Sequence, residues 1–255
     1  MGPSPGFGIR DRLRESGPFL FSWASLPGVA LAGQLARLPF EGVALDLQHG
    51  LIGFSEAAAM AQAVTALARP LIVRTLSADP GLVGQALDMG ASVVIAPLIN
   101  SASEAERLVQ AAKFPPRGGR SWGGYAGVQA SGLAAADYLR EANDLTMVFA
   151  MIETRLALAR VKEIAAVEGL DGLFVGPNDL SIALSAGEEI ATAGPETLSA
   201  MRDIAAAARA RGLIAGAFAG RASNISVYEQ LGYRFLAAAT DVEMLRQGAA
   251  AVLEG

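Results

Sequence analysis

The chain has 255 residues, no cysteine, a single histidine at position 49 and a formal net charge of −5. Without cysteine there is no disulfide framework, thiolate nucleophile, iron–sulfur cluster or cysteine-bound zinc; one histidine excludes HExxH and two-histidine centres, so any metal must be held by oxygen. The acidic balance, with no basic cluster, argues against nucleic acid, while 52% hydrophobic against 18% charged residues suits a folded domain with a large core.

Residues 1–15 read as a flexible N-terminal extension with a first helix. Residues 16–36 carry no formal charge and follow Arg10, Arg12 and Arg14, superficially like an export signal or a membrane span. Pro18, Pro27, Gly17, Gly28 and Gly33 interrupt the stretch and no A-x-A-like site closes it, so it reads as strand, turn and helix. No membrane association is expected, and the absence of cysteine is compatible with a reducing cytoplasm, the expected location.

Short runs rich in Val, Ile, Leu and Phe then alternate with Ala-rich stretches of helical period. Strands are expected at 19–25, 42–47, 71–75, 92–97, 146–152, 172–175, 213–218 and 234–238. Helices are expected at 29–37, 55–68, 80–89, 103–112, 155–167, 196–211, 222–231 and 242–254. Most of the apolar runs are continuous rather than alternating, as parallel strands covered on both faces require. Asp79 followed by Pro80 offers a cap and a first-turn proline, and Gly90, Gly169 and Gly212 follow helix ends. Eight strand-then-helix units predict an α/β fold, a single (β/α)8 TIM barrel spanning 1–255 as one domain. The main rival, a doubly wound open sheet, lacks a G-x-G-x-x-G after the first strand. Residues 114–133, containing PPRGGRSWGG, exceed a usual connection and read as a functional or disordered loop, with room for further helix up to Asn143.

In such a barrel the active site lies at the C-terminal ends of the strands. The polar residues falling there are Asp46, Gln48 and His49 after the second strand, Arg74 at the end of the third, Glu153 after the fifth, and Asn178 and Asp179 after the sixth. Arg74 follows three apolar residues and reads either as a structural ion pair or as a clamp for an anion or oxyanion. Glu153 and Asp179 read as helix caps or, paired, as ligands for a hard cation such as Mg2+ or Mn2+. His49 is structural or the general base; it is the one side chain whose ordinary pKa suits proton transfer near neutrality, and Asp46 or Asp88 behind it would raise its basicity. The GPNDLS stretch adds backbone N–H groups at a helix start, suited to a carboxylate or phosphate. Only Lys113 and Lys162 are lysines, and neither is placed for a Schiff base, so carbonyl chemistry here would rely on a metal as Lewis acid.

At these residues the sequence resembles the HpcH/HpaI family of metal-dependent class II aldolases. The matching stretches are LDLQHG at 45–50, RPLIVRTL at 69–76, QALDMGASVVIAPLINSASEAE at 85–106, KFPPRGGRSWGG at 113–124, MIET at 151–154, EGLDGLFVGPNDLS at 168–181, GLIAGAFAG at 212–220 and LGYRFLAAATD at 231–241. Their wording is closer to the 4-hydroxy-2-oxo-acid aldolases than to the CoA-ester lyases. The resemblance implies that Glu153 and Asp179 are the metal ligands, that His49 takes the 4-hydroxyl proton, and that Asp88, supported by Asp46, raises the basicity of the histidine. It implies that Arg74 stabilises charge on the enolate and aldehyde oxygens, and that Gly176, Asn178 and Asp179 receive the substrate carboxylate, with Trp23 and Met151 completing the substrate-binding set. C3–C4 cleavage would release pyruvate or hydroxypyruvate and an aldehyde. The cofactor implied is Mg2+ or Mn2+, with Co2+ as a further option, and no organic cofactor. The partners implied are a small 2-oxo acid, an aldehyde and other copies of the chain in a homohexamer with an exchanged C-terminal helix. The sequence departs from the family at Met151, where glutamine is common, and at Gln48, where an acid is frequent; both bear on which donor or aldehyde is accepted. Other readings are a C–C lyase acting on a CoA thioester or a phosphoenolpyruvate-type substrate, and a carboxylate-binding barrel without turnover.

Overall fold

In the computed structural model, which describes residues 2–15 and 17–254, eight parallel strands close into a barrel in sequence order. They are β1 (Phe19–Ala24), β2 (Gly42–Asp46), β3 (Leu71–Arg74), β4 (Val93–Ala96), β5 (Met147–Ile152), β6 (Gly172–Val175), β7 (Ile214–Phe218) and β8 (Phe235–Thr240). Every residue of β2 to β6 is buried, which is why these strands read as continuous apolar runs. The helices are α1 (Ile9–Arg12), α2 (Val29–Leu35), α3 (Phe54–Thr65), α4 (Pro80–Asp88), α5 (Ala102–Ala112), α6 (Tyr125–Ser131), α7 (Ala135–Leu145), α8 (Arg155–Ala159), α9 (Val161–Ala165), α10 (Pro177–Leu184), α11 (Pro195–Ala210), α12 (Ala222–Gln230) and α13 (Asp241–Glu254). No helix among the described residues is long and apolar enough to cross a membrane.

The elements differ from the sequence expectation in four places. The first is α10, a separate helix that precedes α11 after β6 where the sequence predicts one helix at 196–211, although GPNDLS reads as a helix start. The helix expected at 155–167 is two, because Arg160, at φ −109° and ψ 12°, leaves the helical region between α8 and α9. The long loop is irregular only as far as Gly124, the residue that precedes α6, and α7 follows directly. Within the N-terminal segment, Phe7 and Ile9 are buried, and Ile9 joins the cluster that fills the barrel, so these residues are packed rather than an extension. Residue 1 of that expectation lies outside the described residues.

The barrel interior is an aromatic stack of Phe19, Phe21, Trp23, Phe149, Phe174 and Phe235. Phe235 is the hub, with ring centroids 4.4 Å from Phe21, 4.9 Å from Phe149 and 5.6 Å from Phe19. Rings of this size fit because some inward positions carry no side chain: a Cβ on Gly172 would sit 2.2 Å from Cε1 of Phe149 and 2.7 Å from the Ile214 carbonyl oxygen. A second, aliphatic and alanine-rich layer lies between the outer face of the sheet and the helices.

The end of the barrel where the strands begin is locked by charge. Asp171, just before β6, accepts from Arg10 Nη2 at 2.6 Å, Lys113 Nζ at 2.8 Å and the Val148 N–H at 2.9 Å. Lys113 also donates to the carbonyls of Asn143 and Thr146. Its ammonium is therefore fully used at the end away from the strand C-termini, and Lys162 lies exposed on α9. Neither lysine is aimed into the barrel mouth, in keeping with the sequence reading. The aromatic filling makes a direct prediction: Gly172→Ala should destabilise the fold by about 1–3 kcal/mol through overpacking, seen as a lower urea midpoint with an unchanged m-value.

Candidate active site

The opposite end, where the strands finish, collects the polar residues. Asp46 and Arg74 are register partners at the ends of β2 and β3 and both are buried. They form a two-pronged ion pair, with Arg74 Nε donating to Asp46 Oδ1 at 2.8 Å and Nη2 to Oδ2 at 2.6 Å. The guanidinium lies 4.9 Å over the Trp23 ring, and Trp23 Nε1 donates to Asp46 Oδ2 at 3.2 Å. Burial pushes the Asp46 carboxyl up, but the Arg74 hydrogen bond and charge, with the His49 and Trp23 N–H groups, hold it below its ordinary value of 3.8. The two sequence readings of Arg74 are thus compatible: it is ion-paired, and its remaining N–H groups are free of Asp46.

Asp46 also sets the loop that carries the histidine. Its Oδ1 accepts from the backbone N–H of Gln48 at 3.0 Å and of His49 at 3.2 Å. His49 is exposed just past the strand end. Next to it, the side-chain oxygen of Gln48 is buried without a protein hydrogen-bond partner.

Glu153 follows β5 and is buried, but it is not a cap: the N-cap of α8 is Thr154, whose hydroxyl accepts from the Ala157 N–H. Glu153 Oε1 accepts instead from the Leu98 N–H at 2.8 Å. Leu98 holds φ at 57°, a left-handed conformation that is unusual for a leucine and aims this amide at the carboxylate. Asp179 is exposed in the first turn of α10, where the N-cap is Gly176. Burial first, and then the charge of Asp179, push the Glu153 carboxyl up to about 7, over the opposing pull of the Leu98 N–H and of Arg74. A Cβ on Gly176 would lie 2.6 Å from both Glu153 Oε2 and the Met151 methyl, so glycine there lets α10 start directly beside the carboxylate. Among the described residues no group of three His, Cys, Asp or Glu side chains could enclose a metal ion. The donors at hand are two carboxylates, oxygen only, and the charge of Asp179 raises the proton affinity of Glu153; this set fits a hard divalent cation that keeps open positions for water and substrate.

Asn178, like Asp179, is exposed at the start of α10, while Trp23, Met151 and Gly176 are buried at the mouth. Asp88 is the one residue of the expected set placed elsewhere. It ends α4, which runs about 13 Å back from the mouth, toward the end where β4 begins. Its partner is Arg120 Nη2 at 2.7 Å, itself buried against the Phe114 ring. Asp88 therefore does not back His49 of the same chain; the carboxylate that contacts the histidine loop there is Asp46, through the backbone N–H of His49. The sequence reading did not single out the Leu98 amide or Asn100, whose side chain accepts from the Thr154 hydroxyl and donates to the Leu98 carbonyl. Nothing in sequence marks a backbone amide, since any residue but proline supplies one.

A closed barrel with Asp46, Arg74, Glu153 and Asp179 gathered at the strand C-termini is the architecture of a (β/α)8 enzyme. Residues 20–248 match the HpcH/HpaI aldolase/citrate lyase family, and the chain belongs to it. It is a carbon–carbon lyase. It is 37% identical over 245 residues to a hydroxypyruvate/pyruvate aldolase of Rhizorhabdus wittichii, covering 96% of each chain. It is 31% identical over 248 residues to a 4-hydroxy-2-oxo-heptane-1,7-dioate aldolase of Salmonella dublin, covering 96% of this chain and 92% of that one. The crystal structure of an HpcH/HpaI aldolase/citrate lyase family protein from Burkholderia cenocepacia superposes with a TM-score of 0.86 at 30% identity, over 97% of this chain and 98% of that one.

The ion pair at the mouth has a measurable consequence. Asp46→Asn leaves a buried guanidinium without its counter-charge and should destabilise the protein by about 3 kcal/mol near neutrality. Because the folded-state pKa of Asp46 is lowered, its contribution is present above 3.8 and lost as pH falls through the folded value. The stability gap between wild type and variant, measured by denaturant titration, should narrow on acidification below pH 4 and stay constant above it.

Proposed function

We propose that the protein is a metal-dependent class II aldolase that cleaves a 4-hydroxy-2-oxo acid, reversibly, to pyruvate or hydroxypyruvate and an aldehyde. The observation that carries this reading is the convergence at one mouth of two carboxylates, Glu153 and Asp179, with the Asp46-held Arg74 and the His49 loop. Glu153 and Asp179 would hold Mg2+ or Mn2+, with Co2+ as a further option, and the ion would act as the Lewis acid for the 2-oxo group. Gly176, Asn178 and Asp179 bind the substrate carboxylate with backbone groups at the start of α10. His49 accepts the 4-hydroxyl proton. As C3–C4 breaks, the bonding pair passes to the 2-oxo acid fragment as an enolate, and the Arg74 N–H groups not used by Asp46 face the charge developing on the enolate and aldehyde oxygens. Trp23 and Met151 wall the substrate with apolar surface and keep water from it.

The working form in this reading is a homo-oligomer, a hexamer by family resemblance, in the cytoplasm. Two features support association. Asp88 lies too far along α4 to serve its own histidine, so a role at His49 requires a second copy. Beyond Asp241, α13 leaves Leu245, Val252 and Leu253 exposed, an apolar face of the kind that marks a contact surface.

Pyruvate release from a 4-hydroxy-2-oxo acid should vanish on chelation and return with Mg2+ or Mn2+; full activity in chelator would show that the carboxylate pair is not a metal site. Arg74→Ala should lower kcat by about 10²–10³-fold in a protein that still folds. His49→Ala should lower kcat by about 10²–10⁴-fold, and no second histidine can substitute.

A further inference from the structure

The His49 loop is held at both ends, and the outer hold leads to a residue outside the site. At the inner end Asp46 accepts the Gln48 and His49 N–H groups. At the outer end the Leu51 N–H donates to the Ser25 carbonyl at 2.8 Å. Gly50 is pressed between the two: a Cβ there would lie 2.2 Å from the Asp46 carbonyl oxygen and 3.1 Å from that of Ser25. The position of His49 thus follows from where Ser25 sits.

Ser25 is fixed by Asp241, the first residue of α13. Asp241 Oδ2 accepts from the N–H groups of Ser25 and Leu26, both at 2.9 Å, while Oδ1 accepts from the Val242 N–H at 2.8 Å. The carboxylate is 1% exposed, so these three donors are what keeps it in place. A helix cap would need only N–H groups of its own helix. Two of the three come from the far end of the chain, from the turn that also receives the histidine loop.

We propose that Asp241 is a positioning residue for His49: by seating Ser25 and Leu26 it sets the carbonyl on which the Gly50–Leu51 turn rests, and so the place of the imidazole. This rests on the reading of His49 as the base. The single histidine makes the test direct, because the chain gives one imidazole Cε1–Hε1 signal in NMR. Asp241→Asn, of equal shape, is compared with wild type, with Asp241→Ala as the second variant and Asp171→Asn as a control that weakens the opposite end of the barrel; thermal melts report folding.

The expected result is a displaced imidazole signal in both Asp241 variants but not in Asp171→Asn. With it goes a kcat lower by about tenfold or more, and a KM for the 2-oxo acid within about twofold of wild type, because the carboxylate pair and α10 are untouched. In a His49→Ala background the Asp241→Asn substitution should cause no further loss. An unmoved imidazole signal in a folded variant, or the same fold-loss with and without His49, overturns the proposal. His49→Ala with wild-type kcat would overturn the assignment of the base instead, and the imidazole signal would still decide whether Asp241 places its loop.

Discussion

The buried pair of Asp46 and Arg74 is the interaction on which the mouth of the barrel depends. One carboxylate binds the guanidinium through both oxygens, takes the Trp23 indole N–H, and accepts the backbone of the histidine loop. Arg74 and the histidine loop are thereby referred to one carboxylate. The arrangement is secured by strand register, since Asp46 and Arg74 face each other directly across β2 and β3; a slip of one residue would turn one side chain out of the barrel. Neither charge would tolerate this depth without the other.

Stability and chemistry are divided between the two ends of the barrel. At the end where strands begin, Asp171, Lys113 and Arg10 satisfy one another and nearby carbonyls. At the mouth the polar groups are less comfortable: Glu153 is buried with its proton affinity raised, Leu98 is held at positive φ, and the Gln48 oxygen lacks a protein partner. Such local strain is what a site built to receive charged ligands retains. Between the ends, the aromatic stack on Phe235 fills the barrel and supplies the rigid floor against which the site is set.

The candidate site residues were legible because each stands at or just past the end of an apolar strand run, which is where a (β/α)8 barrel gathers its polar groups. His49, Asp46, Arg74, Glu153 and Asp179 were found in this way, and the structure brings the loops that carry them to one mouth. Asp88 failed the same logic. It ends a helix, and helices return to the far end of the barrel, away from the histidine of the same chain. The backbone amide of Leu98 carries no sequence mark.

By itself the sequence determined the strand-and-helix alternation, and with it the barrel, because burial on both faces of a parallel strand demands an unbroken apolar run and turn residues punctuate it. It also determined the chemistry available, since a chain with no cysteine and one histidine leaves only oxygen ligands and one neutral-range base. Only the tertiary structure decided who holds whom. Asp46 pairs with Arg74 rather than capping a turn alone, Thr154 rather than Glu153 caps α8, Arg120 takes Asp88, and Asp241 reaches across the barrel closure to the turn after β1. Apart from the local Thr154 cap, these are contacts between residues 28 to 216 positions apart, set by strand register, by helix packing and by the closing of β8 on β1, and no local pattern in the chain encodes them.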